Sequence, residues 1–80
     1  MKEYSLDKIK VSDVVILKKL NNTGSIRRRL LDIGFIPGTK IESILTSPFK
    51  DPTLYRIRGT LIAIRNDDAK DIIVEECNEV

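Results

Sequence analysis

Gly24-Ser25-Ile26-Arg27-Arg28-Arg29-Leu30-Leu31-Asp32-Ile33-Gly34-Phe35-Ile36-Pro37-Gly38-Thr39 is the stretch from which the fold can be read. Ile26, Leu30 and Ile33 recur at the i, i+4 and i+7 spacing of one helical face, and Leu31 widens the stripe, so Ser25–Ile33 is predicted as an α-helix. Asn22 or Thr23 supplies its N-cap. Arg28 and Arg29 lie off the stripe, each within reach of Asp32 four or three residues on. Gly34 falls where a left-handed C-terminal cap is wanted, and Pro37 keeps the helix from restarting. Ile36-Pro37-Gly38-Thr39 suits a type II turn, with Pro second and Gly third. A short amphipathic helix therefore ends in a sharp corner that leads into a strand.

On both sides of this corner the signals are β. Upstream, Val14–Leu20 is β-branched and bounded by polar residues. Leu6, Ile9 and Val11 ahead of it read as scattered apolar contacts. Downstream, Lys40–Thr46 is a second strand, and Ser47-Pro48-Phe49-Lys50-Asp51-Pro52 a loop held at both ends by proline. Leu54–Arg58 and Leu61–Arg65 form a hairpin with Gly59-Thr60 at the centre of a type II′ turn. That register sets Ile57 opposite Ile62 and Tyr55 opposite Ile64, leaving Arg56, Arg58 and Arg65 among Leu54, Leu61 and Ala63 on the other face. Asn66–Asp71 is a short helical turn, Ile72–Glu76 a last strand, and Asn78-Glu79-Val80 a loose end. The expected fold is mainly β. It is a small SH3-like barrel of about five strands, with one short α-helix after the first strand and a short helical turn before the last. Residues 1–80 make a single domain without repeats or linkers.

Eighty residues allow one small core, and 41% hydrophobic content dominated by Ile, Leu and Val favours sheet over helix. The charged 32% is split almost evenly between signs, which is globular rather than disordered composition. There is no histidine, so the usual general base and the commonest transition-metal ligand are both missing. A single cysteine, Cys77, excludes an intrachain disulfide and every Cys-rich zinc pattern. The chain is therefore not expected to be an enzyme or to hold a metal or cofactor, and without a Gly-rich phosphate loop it should not bind nucleotide. Its longest apolar runs, Val14–Leu17 and Leu61–Ile64, fall far short of the ~20 residues that span a bilayer. With no apolar signal core at the N-terminus, a cytoplasmic location is expected. Charge is polarised: residues 1–20 carry +2, residues 21–50 carry +3 and residues 51–80 carry −3. A basic middle third could orient the chain on an acidic partner.

Taken together, the run from Gly24 to Thr39, the segment Ser47-Pro48-Phe49-Lys50-Asp51-Pro52, then Ile57-Arg58-Gly59 and Ile62-Ala63-Ile64-Arg65 resemble, in order and spacing, the pattern of FeoA. FeoA is the small protein of bacterial ferrous iron uptake, and the resemblance covers roughly residues 5–76. Two positions depart from the pattern: Ser12 and Lys50 stand where glycine is expected or common. The resemblance implies an SH3-like barrel that docks in the cytoplasm on FeoB, a membrane Fe(II) transporter with a guanine-nucleotide-binding domain. Contact with the membrane would then be indirect, through the transporter. The same module occurs at the C-terminus of DtxR-type metal-dependent repressors, so a stand-alone metal-responsive regulator is the alternative. Those repressors carry a helix-turn-helix and a dimerisation region ahead of the module, whereas about a dozen residues precede the barrel here.

The candidate partner-binding residues are Arg28, Arg29, Phe49 and Lys50, with Arg56 and Arg58 outlying on the basic face of the sheet. Arg28 and Arg29 suit a solvated helix face or a docking surface equally, since arginine is both soluble and enriched at interface hot spots. Arg27 lies beside Leu31 and packs with its stem. Phe49 either folds back on the barrel or presents an aromatic on a proline-stiffened loop, low in entropy before binding. A nucleic-acid interface is disfavoured, because only four aromatics are present and no recognition-fold signature appears. Asp67, Asp68, Asp71, Glu75, Glu76 and Glu79 read as helix-end and surface charges rather than iron ligands. Exposed strand edges leave self-association as a homo-oligomer open.

Overall fold

The computed structural model describes residues 2–77. Along the chain come β1 (Glu3–Ser5), a single 3-10 turn (Leu6–Lys8), β2 (Val14–Leu20), α1 (Gly24–Ile33), β3 (Lys40–Thr46), β4 (Thr53–Ile57), β5 (Thr60–Ile64), α2 (Asn66–Ala69) and β6 (Ile72–Glu76). The strands form one antiparallel sheet in the order β1-β6-β2-β3-β4-β5. Alternation along each strand sends Val15, Leu17, Ile41, Tyr55, Ile57, Ile62, Ile64, Ile72 and Val74 inward, where they bury with Leu6, Leu30, Phe35 and Ala69. Register shifts between Leu17 and Lys19 and between Ser43 and Leu45 increase the bend of the sheet around that core. The mainly β architecture matches the expectation, with six strands in place of about five. The added strand is β1, which the sequence could not announce: three residues carry no alternation, and β1 exists because β6 offers it a register from Glu3 opposite Glu75 to Ser5 opposite Ile73.

The helix corner forms as expected. Thr23 is the N-cap, although its side chain makes no capping bond. Asn22 is buried instead and donates through Nδ2 to the carbonyl of Asp68 at 3.0 Å, tying the start of α1 to α2. At the other end the Phe35 N–H donates to Leu30 O at 3.0 Å and the Gly34 N–H to Leu31 O at 3.1 Å. That pair of bonds is a Schellman cap, and Leu30 and Phe35 are both fully buried behind it. The following turn closes with the Thr39 N–H on Ile36 O at 3.1 Å and Gly38 at φ 94°, as a type II turn requires.

The hairpin corrects the expected register. β4 and β5 each begin and end one residue earlier than predicted, and Ile57 faces Thr60, Arg56 faces Leu61 and Tyr55 faces Ile62. The turn is centred on Arg58-Gly59, both left-handed at φ 51° and 79°, which is a type I′ turn and not the predicted type II′ turn on Gly59-Thr60. Moving the turn by one residue slides the pairing by two. The same side chains therefore stay inward, while the expected apolar pairs of Ile57 with Ile62 and Tyr55 with Ile64 give way to Tyr55 with Ile62, Ile57 with Thr60 and Thr53 with Ile64. Arg56 opposite Leu61 is tolerated because both are exposed on the outer face. The helical turn before β6 is also shorter than expected, ending at Ala69. The predicted loose end Asn78–Val80 lies outside the described residues.

Ser12 and Lys50 have φ of 80° and 66°. These are the two positions where glycine was expected from the family pattern, so the backbone has kept the glycine conformation under a residue that bears a Cβ.

Candidate functional site

The loop from Ser47 to Pro52 is a short projection held by hydrogen bonds at its base. The Asp51 N–H donates to Ser47 Oγ at 3.1 Å and Ser47 Oγ donates back to the Asp51 carbonyl at 2.8 Å. The Lys50 N–H closes on Ser47 O at 2.8 Å, and the Ser47 N–H reaches Pro52 O at 3.2 Å. Asn66 bolts the loop to α2: its N–H donates to Asp51 Oδ1 at 2.9 Å and its Nδ2 to Lys50 O at 3.0 Å. On this frame Phe49 stands 90% exposed, the most open large apolar side chain among those described. It does not fold back on the barrel. Lys50 is exposed beside it.

The arginines separate into two groups. Arg27 donates to the carbonyl of Leu20 at 2.8 Å and so fastens α1 to the end of β2, a polar contact rather than stem packing alone. Arg56 donates to Glu42 Oε1 at 3.0 Å across the outer face of the sheet. The Arg58 stem lies over the helix corner, where a Cβ on Gly34 would come within 2.6 Å of Arg58 Cδ. Arg28, Arg29 and Arg65 are exposed and form no ion pair among the described residues; the predicted pairing of Arg28 and Arg29 with Asp32 is not made. Arg29 and Arg65 share an open groove of about 250 Å³ between α1 and β5, floored by Ile26, Leu30, Ile62 and Ile64. Arg28 lines a different surface with Leu31 and Asp32. The six predicted residues are therefore not one patch. Arg29 borders the groove beside β5, Arg28 lines a separate surface of α1, the Phe49–Lys50 loop is bonded to Asn66 at the start of α2, and Arg56 with Arg58 border a shallow hollow at the hairpin end.

Nothing in this set resembles an assembled reaction centre. Among the described residues no three His, Cys, Asp or Glu side chains gather where they could hold a metal ion. Cys77 is half-buried near Tyr4 and Glu76. Burial, with the negative charges of Glu76 and Asp13, raises the Tyr4 phenol above its ordinary value. Burial raises Tyr55 as well, against a Thr53 hydrogen bond that lowers it. No helix among the described residues is long and apolar enough to cross a membrane. The groove beside β5 is the feature that sequence reasoning missed. Its walls come from α1 and from the strand that ends the sheet, and neither periodicity nor motif shows which strand that is.

Residues 4–76 match the family described as FeoA domain. The chain is 31% identical over 70 residues to the Fe(2+) transport protein A/Fe(2+) transporter FeoB fusion protein of Porphyromonas gingivalis, covering 88% of this chain and 8% of that protein. The chain thus spans under a tenth of that relative's length. The solution structure of a FeoA-like protein from Clostridium acetobutylicum superimposes with a TM-score of 0.87 at 30% identity, covering 100% of this chain and 93% of that one. At lower identity the likeness is one of fold. A zinc complex of Stenotrophomonas maltophilia FeoA, described as an SH3 domain protein, gives a TM-score of 0.79 at 23% identity over 89% of this chain and 88% of that one. A manganese-dependent transcriptional repressor gives 0.82 at 13% identity, over 94% of this chain and 42% of the repressor.

Proposed function

The chain belongs to the FeoA family of ferrous iron transport, and from that premise we propose that it is a non-catalytic accessory module that docks on the cytoplasmic part of the transporter FeoB. The observation that carries the docking reading is Phe49: an aromatic 90% exposed on a loop whose backbone is already bonded to α2. A free aromatic on a soft loop would lose on ordering much of what it gains on burial; here the loop backbone is held by hydrogen bonds beforehand. The partner is suggested by the Porphyromonas gingivalis relative, in which transport protein A and FeoB are one polypeptide. Tethering of that kind keeps two modules within reach of one another.

Arg28, Arg29, Phe49 and Lys50 are the proposed anchors, with Arg56 and Arg58 outlying. Arginine and exposed aromatic side chains are types enriched at interfaces, and Arg28 and Arg29, with no ion pair among the described residues, would steer an acidic partner at a rate that salt reduces. Iron is cargo of the transporter in this reading, and the chain touches the membrane only through it. The likeness to the repressor is one of fold and does not favour a regulatory reading. An NMR titration of the labelled chain with FeoB tests the proposal. Shifts are expected around Phe49 and Arg29, and Phe49→Ala should weaken binding about thirtyfold, equivalent to ~2 kcal/mol. Shifts confined to Asp67–Glu76, with Arg29→Ala and Phe49→Ala both folded and binding normally, would show that the surface is misplaced.

A further inference from the structure

The two edges of the sheet are built differently. β1 is three residues long and begins with Glu3, a short and charged edge of the kind that resists pairing with another chain. β5 is five residues, Thr60-Leu61-Ile62-Ala63-Ile64, with no charge and no proline. Because Arg58-Gly59 is a two-residue turn, Ile57 and Thr60 form the bonded closing pair, and Tyr55–Ile62 and Thr53–Ile64 are bonded pairs in turn. Leu61 and Ala63 then direct their N–H and C=O groups away from β4. β5 has no neighbour on that side, and neither residue takes part in any turn, loop or inter-element backbone bond among the described residues. Both are exposed. What lies along this edge is the open groove, whose two arginines, Arg29 and Arg65, face a single carboxylate, that of Asp68.

We propose that β5 is an acceptor edge, to which an extended, carboxylate-bearing segment of the docking partner adds as a further antiparallel or parallel strand. The outward N–H and C=O groups of Leu61 and Ala63 supply the ladder bonds. Ile26, half-buried on the α1 side of the groove, offers apolar surface against which side chains of the incoming strand pack. Arg29 and Arg65 donate to its carboxylates, and arginine suits this because its planar fork bonds a carboxylate through two parallel N–H groups. The inference rests on the docking reading for the identity of the partner, and goes beyond it in naming the mode and the chemistry recognised. It also accounts for the position of the Phe49 loop, which is bonded to Asn66 next to Arg65 and so stands at one end of the same edge.

Amide hydrogen exchange, measured residue by residue on the full chain, free and saturated with detergent-solubilised FeoB, tests this directly. In the free chain Leu61 and Ala63 should exchange fast while Ile62 and Ile64 are protected by β4. On saturation with FeoB the two fast amides should slow at least about tenfold. Ala63→Pro removes an outward donor without touching a β4 bond, and should weaken binding by about the same factor while Ile62 stays protected. Arg29→Glu with Arg65→Glu should weaken binding and flatten its salt dependence. If Ala63→Pro does not fold, exchange in the unaltered chain still decides. FeoB binding that leaves Leu61 and Ala63 exchanging as before would overturn strand addition and leave docking intact. Absence of any binding would overturn both. Protection of these amides in the free chain that rises with its concentration would place a second copy on the edge and overturn the proposal.

Discussion

Arg58 and Arg29 are both exposed arginines near the helix, yet they occupy opposite situations. At the hairpin end, Arg58 holds a left-handed backbone and lays its stem across Gly34, so that turn and helix cap fit each other. Arg56 nearby is held by Glu42. Along β5, Arg29 and Arg65 border a groove and have no ionic partner among the described residues. In sequence the two sets look alike. The difference teaches that positive charge locates an interface only after the arginines that fasten the fold have been set apart.

The strongest way to break this contrast is at Gly34. Gly34→Ala places a Cβ at φ 122° and within 2.6 Å of Arg58 Cδ, and should destabilise the chain by about 2–3 kcal/mol in denaturant unfolding. In an Arg58→Ala background the collision is gone, so the same substitution should cost less; equal costs in both backgrounds would show that the two residues are not coupled. Lys50→Gly sharpens the other side. Relief of the left-handed backbone at φ 66° should stabilise the fold by about 0.5 kcal/mol, while loss of the charge beside Phe49 lowers affinity for FeoB. The smallest effect is alkaline. Tyr55 is neutral in both folded and unfolded states well below its ordinary value of 10.0. Its folded value is raised, so the unfolded chain loses the proton first and stability falls as pH climbs past 10. Tyr55→Phe should flatten that decline in a pH series of unfolding curves.

Much of the fold was legible because its signals are local. The apolar stripe of Ile26, Leu30 and Ile33, the cap at Gly34 and the Pro37-Gly38 turn each act over a few residues, and each formed as read. The hairpin register was not, because it depended on whether Arg58 would accept a left-handed conformation. The expected register set Ile57 opposite Ile62 and Tyr55 opposite Ile64; the observed one keeps the same faces but sets Tyr55 opposite Ile62 and Arg56 opposite Leu61. β1 escaped notice because its partner, β6, lies some 70 residues away in the chain. At the candidate site, Phe49 and the arginines could be picked out by residue type. Which arginines were already engaged, and which edge of the sheet stayed open, are properties of topology. Asn22 illustrates the same limit: a capping residue by its type, it is spent on the Asp68 carbonyl.

The most direct measurement sets two double variants side by side, each assayed for thermal stability and for affinity to detergent-solubilised FeoB. Arg29→Ala with Phe49→Ala should reduce affinity by thirtyfold or more, equivalent to at least ~2 kcal/mol, with an unfolding midpoint close to that of the unaltered chain. Arg56→Ala with Arg58→Ala should lower the midpoint by several degrees and change affinity less than about threefold. The reverse pattern, affinity lost with the hairpin arginines and kept without Arg29 and Phe49, would contradict the assignment of the docking surface to the β5 side of the molecule.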